Sequence, residues 1–237
     1  QSVVPQPQAG EFKAFSATCT HQGCVVGSAS DGVIICPCHN SQFDLTTGAY
    51  IRDVVSSSSG FLESPFGLLF TPAGTLLATS HDDRVLEIDP ATGSLIRTLV
   101  TPGSGGLVFA RGMVLKRDGN LLVANYGHGQ ILEFNALTGD FVRVWNRNGS
   151  GNVLTLEQPW CLRIGHDNHI YVSDAHAHES GNPDLLHLTA ARVMVFDWRN
   201  GNYRRSLIQG LDSELTHPGG FDFIPATTDC NATFFPD

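Results

Sequence analysis

The pattern that most limits how this chain can fold is a repeat in its later three quarters. Phe66-Gly67-Leu68-Leu69-Phe70 returns as Arg111-Gly112-Met113-Val114-Leu115, then as Trp160-Cys161-Leu162-Arg163-Ile164, and finally as Gly219-Gly220-Phe221-Asp222-Phe223. Gly67 to Gly112 is a step of 45 residues, and Gly112 to Cys161 a step of 49. Each unit continues in one order. A polar turn (72–74, 117–120, 165–169) precedes an apolar stretch of strand character (76–79, 121–124, 170–173). A third strand follows (84–88, 130–134, 192–196), and a Thr-Gly or Asn-Gly turn leads to a fourth (95–99, 141–145, 203–208). A unit of this length cannot bury the faces of its own sheet, so neighbouring units must stack.

Composition agrees. With 25 Gly, 12 Pro and 16% charged residues, the chain favours short strands joined by turns over long surface helices, and the expected class is all-β. Four antiparallel strands per repeat make a propeller blade. The units divide as 65–109, 110–158, 159–216 and an incomplete 217–237, a partial propeller of three to four blades occupying 62–237. The run Leu122-Val123-Ala124-Asn125 followed by Gln130-Ile131-Leu132-Glu133-Phe134, with its partners in the other units, resembles the NHL-type repeats. Closed propellers have 4–8 blades. An unclosed fan exposes two strand edges, so completion by a second copy, by a larger assembly or by further chain is expected.

The first 55 residues carry a different signal. Cys19-Thr20-His21-Gln22-Gly23-Cys24 is answered by Cys36-Pro37-Cys38-His39, so four of the 6 cysteines alternate with two histidines in two short segments. The stretches 2–6 and 12–17 read as strands, and the apolar strand 33–35 delivers Cys36 to the second segment. Two segments of the form C-x-H and C-x-x-H can close on a metal from opposite sides. A tetrahedral Cys₂His₂ zinc site is the plain reading, and Cys24 and Cys38 exceed what zinc needs.

These residues closely resemble the Rieske iron–sulfur proteins of the disulfide-containing branch, from about residue 12 to residue 50. The resemblance implies a [2Fe–2S] cluster with Cys19 and Cys36 as thiolate ligands of one iron and His21 and His39 as imidazole ligands of the other. It also implies a Cys24–Cys38 disulfide between the loops, a hydrogen bond from Ser41 towards a bridging sulfide, and one-electron transfer to a redox partner protein or small electron carrier. Two neutral imidazoles in place of two thiolates leave such a cluster less negative, with potentials of roughly −150 to +300 mV. A loop disulfide implies an oxidising compartment.

Two departures stand out. Phe43 occupies the position of the family's usual tyrosine, so one hydrogen-bond donor to a cysteine sulfur is lost and a potential below the top of the range is expected. After Thr47-Gly48 the family runs into a Gly-Pro-rich covering loop. This chain runs Ile51-Arg52-Asp53-Val54-Val55 and then the serines of a linker-like 56–61. The expected domains are therefore a small antiparallel β module at 1–55, a Ser-rich linker, and the propeller.

The remaining residues give weaker signals. Cys161 and Cys230 could pair across blades. His81, His128, His176, His178, His187 and His217 fall in connections expected on one propeller face. His176 and His178 sit in an insertion with Glu179 and Asp184. The sharper reading is a second divalent metal held by His176 and His178, and the plainer one is polar loop tips in a contact surface. The net charge of −9 and the lack of a Lys/Arg cluster argue against nucleic acid. No apolar run is long enough to span a bilayer. Gln1 as first residue reads as a mature chain after leader removal, or as a fragment. Two glycosylation sequons, at Asn148 and Asn231, point with the disulfide to an extracytoplasmic setting, secreted or periplasmic. Extracytoplasmic electron transfer with the propeller as docking or assembly scaffold is the leading expectation. A structural subunit with an auxiliary cluster site and a propeller enzyme fed by the cluster are the alternatives. No catalytic triad or carboxylate pair stands out.

Overall fold

The structure is a computed structural model that describes residues 28–30, 33–35, 41–44, 50–175 and 192–209. Among these residues there is no α-helix, and sixteen strands form four antiparallel four-stranded sheets. No helix among them is long and apolar enough to cross a membrane. The class is all-β, as expected. The expected strands at 2–6 and 12–17 and the expected incomplete blade at 217–237 lie outside the described residues.

Three sheets follow the repeat. The first blade comprises β5 (Leu68–Phe70), β6 (Leu76–Ser80), β7 (Arg84–Ile88) and β8 (Leu95–Val100), hydrogen-bonded in chain order. The second comprises β9 (Ala110–Leu115), β10 (Asn120–Asn125), β11 (Gln130–Asn135) and β12 (Phe141–Val144). The third comprises β13 (Gln158–Ile164), β14 (Ile170–Ala175), β15 (Arg192–Phe196) and β16 (Tyr203–Gln209). The fourth sheet comes earlier in the chain: β1 (Ser28–Ser30), β2 (Val33–Ile35), β3 (Ser41–Asp44) and β4 (Tyr50–Asp53).

Stacking is visible in the core. The second strand of each blade is buried on both faces, because each face meets a neighbouring sheet; all five residues of β6 are buried. One cluster joins Leu77, Leu99 and Val100 of the first blade to Met113, Leu121, Val123, Leu132 and Phe134 of the second. Another joins Leu122, Ile131 and Trp145 of the second to Leu162, Ile170, Val172, Met194 and Phe196 of the third. The glycine at the second position of the first two repeats has a steric cause. A Cβ on Gly67 would stand 2.4 Å from the Arg111 carbonyl oxygen, and one on Gly112 would stand 2.7 Å from that of Trp160. Innermost strands approach each other's backbone this closely only where a side chain is missing.

A polar device also repeats. A side chain in the last two positions of the second strand accepts backbone N–H groups from residues at or before the start of the first strand. Ser80 Oγ accepts from Glu63, Asn125 Oδ1 from Val108, and Asp174 Oδ1 from both Glu157 and Gln158. Each bond satisfies a donor that the sheet itself cannot pair.

Candidate functional site

Cys19, His21, Cys24, Cys36, Cys38 and His39 lie outside the described residues, and the structure shows the frame that carries them. Three aliphatic residues, Val33, Ile34 and Ile35, form β2, which pairs with β1 as Ser28↔Ile35 and with β3 as Ile35↔Gln42. Ser28, Ile35 and Ser41 therefore stand side by side at one end of the sheet. The segment carrying Cys19, His21 and Cys24 joins β1 at Ser28, and the segment carrying Cys36, Cys38 and His39 runs from Ile35 to Ser41. Both Cys/His segments are thus tied to the same end of one small sheet. That is what two half-sites need if they are to meet on one group. Ser41 opens β3 opposite Asp53. Phe43, two residues on, is 7% exposed and packs within the sheet opposite Tyr50.

The connections between second and third strands carry His81 and His128, as expected. Each is engaged locally. The His81 ring lies 5.1 Å from that of Phe109, and the His81 backbone N–H donates to the Glu63 carbonyl. His128 Nδ1 lies 3.0 Å from the Gly106 carbonyl oxygen. Among the described residues no three His, Cys, Asp or Glu side chains group as metal ligands. His176, His178, His187 and His217 lie outside those residues. Cys161 is buried, with its N–H donated to Ser173 Oγ, and Cys230 lies outside the described residues.

One constellation was not read from the sequence. Arg111, 9% exposed, lies with its guanidinium carbon 3.4 Å from the Phe66 ring centre, 4.6 Å from that of Trp160 and 4.8 Å from that of Tyr126. Tyr126 and Trp160 meet edge to face at 5.6 Å, and Phe66 and Trp160 at 5.9 Å. Nε and Nη1 of Arg111 have no hydrogen-bond partner among the described residues. Burial pushes the guanidinium below its usual pKa. The signal was available: Phe66, Arg111 and Trp160 are the first residues of the three repeat motifs, so they converge at one height near the axis.

Comparison with known proteins separates the two parts. Residues 1–57 match the Rieske [2Fe-2S] domain family. A protein of Haloferax mediterranei described as a respiratory nitrate reductase Rieske subunit is 48% identical over 40 residues, 17% of this chain and 18% of that protein. The cytochrome b6-f complex iron-sulfur subunit 2 of Cyanophora paradoxa is 32% identical over 105 residues, covering 42% of this chain and 36% of that one. The corresponding subunit of Synechococcus elongatus is 40% identical over 63 residues, covering 24% and 34%. The chain thus spans little more than a third of these relatives at most. Among solved structures, the WD40 β-propeller domain of Doa1 matches with a TM-score of 0.53 at 14% identity, over 84% of this chain and 57% of that one. Kuenenia stuttgartiensis hydrazine synthase matches with a TM-score of 0.51 at 15% identity, over 73% and 44%. At such identities the likeness establishes the fold alone, a β-propeller.

Proposed function

We propose that the protein carries electrons one at a time through a Rieske-type [2Fe–2S] cluster, with the propeller as the frame that presents it. The observation that carries this reading is the match of residues 1–57 to the Rieske domain, together with a sheet that ties both Cys/His segments to one end. The donor set fits the group: Cys19 and Cys36 would hold one iron, His21 and His39 the other. Cys24 and Cys38 remain to lock the segments together as a disulfide, which suits an extracytoplasmic protein. When bound, such a cluster cycles between two oxidation states that differ by one electron. The chain's own contribution is rigidity. Short strands paired in register hold Ser28, Ile35 and Ser41 side by side, so both Cys/His segments are anchored to one frame. The partner is a redox protein or small electron carrier. The second divalent metal expected at His176 and His178, which lie outside the described residues, forms no part of this proposal.

The test is spectroscopic. Dithionite-reduced protein should give the rhombic low-temperature EPR signal of a histidine-ligated two-iron centre, and His39→Ala should abolish it while the far-UV spectrum and unfolding midpoint stay those of the parent. A colourless protein with one zinc per chain would refute the proposal, and so would a His39→Ala variant with an unchanged signal.

A further inference from the structure

We infer that the β1–β4 sheet is itself a blade of the propeller, so that the ends of β2 and β3 between which Cys36, Cys38 and His39 fall in the sequence lie on the same face as the Arg111 cage. Four observations converge. The first is in the sequence. Phe43-Asp44-x-x-Thr47-Gly48-x-Tyr50-Ile51-Arg52 runs parallel to Ile88-Asp89-x-x-Thr92-Gly93-x-Leu95-Ile96-Arg97 and to Phe134-Asn135-x-x-Thr138-Gly139-x-Phe141-Val142-Arg143. The second is register. Gln42 pairs Arg52 and Phe43 pairs Tyr50, with a bulge between, as Glu87 pairs Arg97 and Ile88 pairs Leu95, and as Glu133 pairs Arg143 and Phe134 pairs Phe141. In the third blade Val195 pairs Arg205 and Phe196 pairs Tyr203 with the bulge in the same place. Four sheets share one irregularity at one position, which an unrelated hairpin would have no reason to reproduce.

The third observation is the contact between sheets. A Cβ on Gly139 would lie 1.7 Å from the Leu99 carbonyl oxygen, and one on Gly201 would lie 1.9 Å from that of Trp145. These are the turns where each blade meets the fourth strand of the blade before it. A Cβ on Gly93 would lie 2.1 Å from the Val54 carbonyl oxygen, and Val54 follows β4 as Trp145 follows β12. The fourth is the core. Val54 and Val55 pack on Leu76, Ala78, Leu86 and Ile88. These four are the counterparts of Leu121, Val123, Leu132 and Phe134, the residues of the second blade that share a cluster with Leu99 and Val100. The third interface therefore repeats the first two, with Val54-Val55 standing for Leu99-Val100.

A consequence for the redox centre follows from topology. In a four-stranded blade the connections between second and third strands, and those from the fourth strand to the next blade, leave by one face. Residues 36–40 join β2 to β3, as 81–83 and 126–129 join their counterparts. Phe66, Arg111 and Trp160 stand at the starts of the innermost strands, which is the same face. The assignment also accounts for the missing Gly-Pro cover: residues 50–55 serve as the outer strand of a blade. The structural match to the WD40 propeller covers 84% of the chain, a larger share than residues 62–237 make up. The blade assignment stands on the propeller alone, and only its redox consequence rests on the function proposed above.

The experiment has two arms on the full chain. In the first, Gly93→Ala is compared with Gly139→Ala, and with Gly74→Ala, which has a similar positive φ but no neighbour within 4 Å. Gly93→Ala and Gly139→Ala should lower the unfolding midpoint by similar amounts, each well beyond Gly74→Ala. Gly139→Ala should also speed hydrogen exchange in peptides covering 33–44 as much as in those covering 76–88. A Gly93→Ala variant no worse than Gly74→Ala, or exchange in 33–44 untouched by Gly139→Ala, overturns the assignment. In the second arm a nitroxide is placed at His128→Cys or Leu137→Cys, at opposite ends of β11, about 20 Å apart at ~3.3 Å per residue. Relaxation enhancement by the reduced cluster should be several-fold larger at position 128, and equal or reversed enhancement overturns the shared face. If reduced protein gives no cluster signal, it is the redox reading that fails, and the first arm alone decides the blade.

Discussion

Glu133 offers a quantitative test of how the blades are held together, because the repeat supplies its own control. Its side chain is 2% exposed; Oε1 accepts from Lys116 Nζ at 2.6 Å and Asn120 Nδ2 at 3.0 Å, and Oε2 accepts from Arg143 Nε at 2.6 Å. Glu133→Gln keeps the shape and removes the charge, leaving a Lys116 side chain that is only 1% exposed without its buried partner. Breaking one side of a buried pair costs about 3–5 kcal/mol. Lys116 keeps Asp118 at 2.7 Å, a surface carboxylate, so the lower end applies, about 3 kcal/mol. At roughly 2–4 °C per kcal/mol for a domain of this size, the melting midpoint should fall by about 6–12 °C. The control is Glu87, at the same register position in the first blade. It is 14% exposed, is bonded to Thr75 Oγ1 and to an Arg97 that is 41% exposed, and no lysine depends on it. Glu87→Gln should cost about 1 kcal/mol or less. Chemical denaturation of both variants measures the difference, and costs within about 0.5 kcal/mol of each other would refute the reasoning, since that is the scale on which independent sites agree. The pH dependence has a definite sign. Burial alone would raise the Glu133 carboxyl, but hydrogen bonds from Lys116, Arg143 and Asn120 outweigh it and hold the group below its usual value. The stabilisation is therefore present above the unfolded carboxylate pKa of about 4.3 and is lost as pH falls through the folded value. The gap between parent and Glu133→Gln should narrow in acid.

Trp145 is fully buried between the second and third blades, and Trp145→Ala should cost about 3–5 kcal/mol in urea unfolding; a loss below 1 kcal/mol would mean that the blades do not pack through it. Arg111→Met should fall within about 1 kcal/mol of the parent, because it removes a buried charge with no carboxylate partner among the described residues while keeping the packed stem. Arg111→Ala, which empties the space between three rings, should cost about 3 kcal/mol, and equal effects of the two would show that charge rather than packing matters there.

Much of the propeller was legible because its constraints are local and repeat. Glycine recurs at 67 and 112 because a neighbouring backbone occupies the place of its side chain, and the Thr-Gly turns recur for the same reason at 93 and 139. The strands expected at 84–88 and 192–196 have those bounds in the structure. Arg111 escaped notice because its three rings come from the first blade, the third blade and a loop of its own blade, and no spacing along one repeat reports on stacking between repeats. The segment 43–55 escaped for another reason. Phe43-Asp44 and Thr47-Gly48 are read first as the tail of the Cys/His motif, and that reading concealed their agreement with the blade turns at 88–93 and 134–139.

That overlap explains how two such different modules can share a chain without a hinge. An antiparallel hairpin closed by an Asx turn and Thr-Gly is useful to both. In the blades Asp89, Asn135 and Asp197 each accept the N–H two residues on, and the turn glycine lets the corner lie flat on the preceding sheet. Phe43-Asp44-x-x-Thr47-Gly48 carries the same sequence pattern between β3 and β4, and the apolar pair after β4, Val54-Val55, packs on the first blade. The serine run that follows is correspondingly short of freedom. Ser56 caps a single 3₁₀ turn over Ser57–Ser59, and Phe61 and Leu62 return to the same cluster as Val54 and Val55. A segment pinned on both sides by one apolar cluster transmits position rather than absorbing motion. The orientation of β1–β4 on the first blade, and with it the end to which both Cys/His segments are tied, is therefore set by the same packing that spaces the blades.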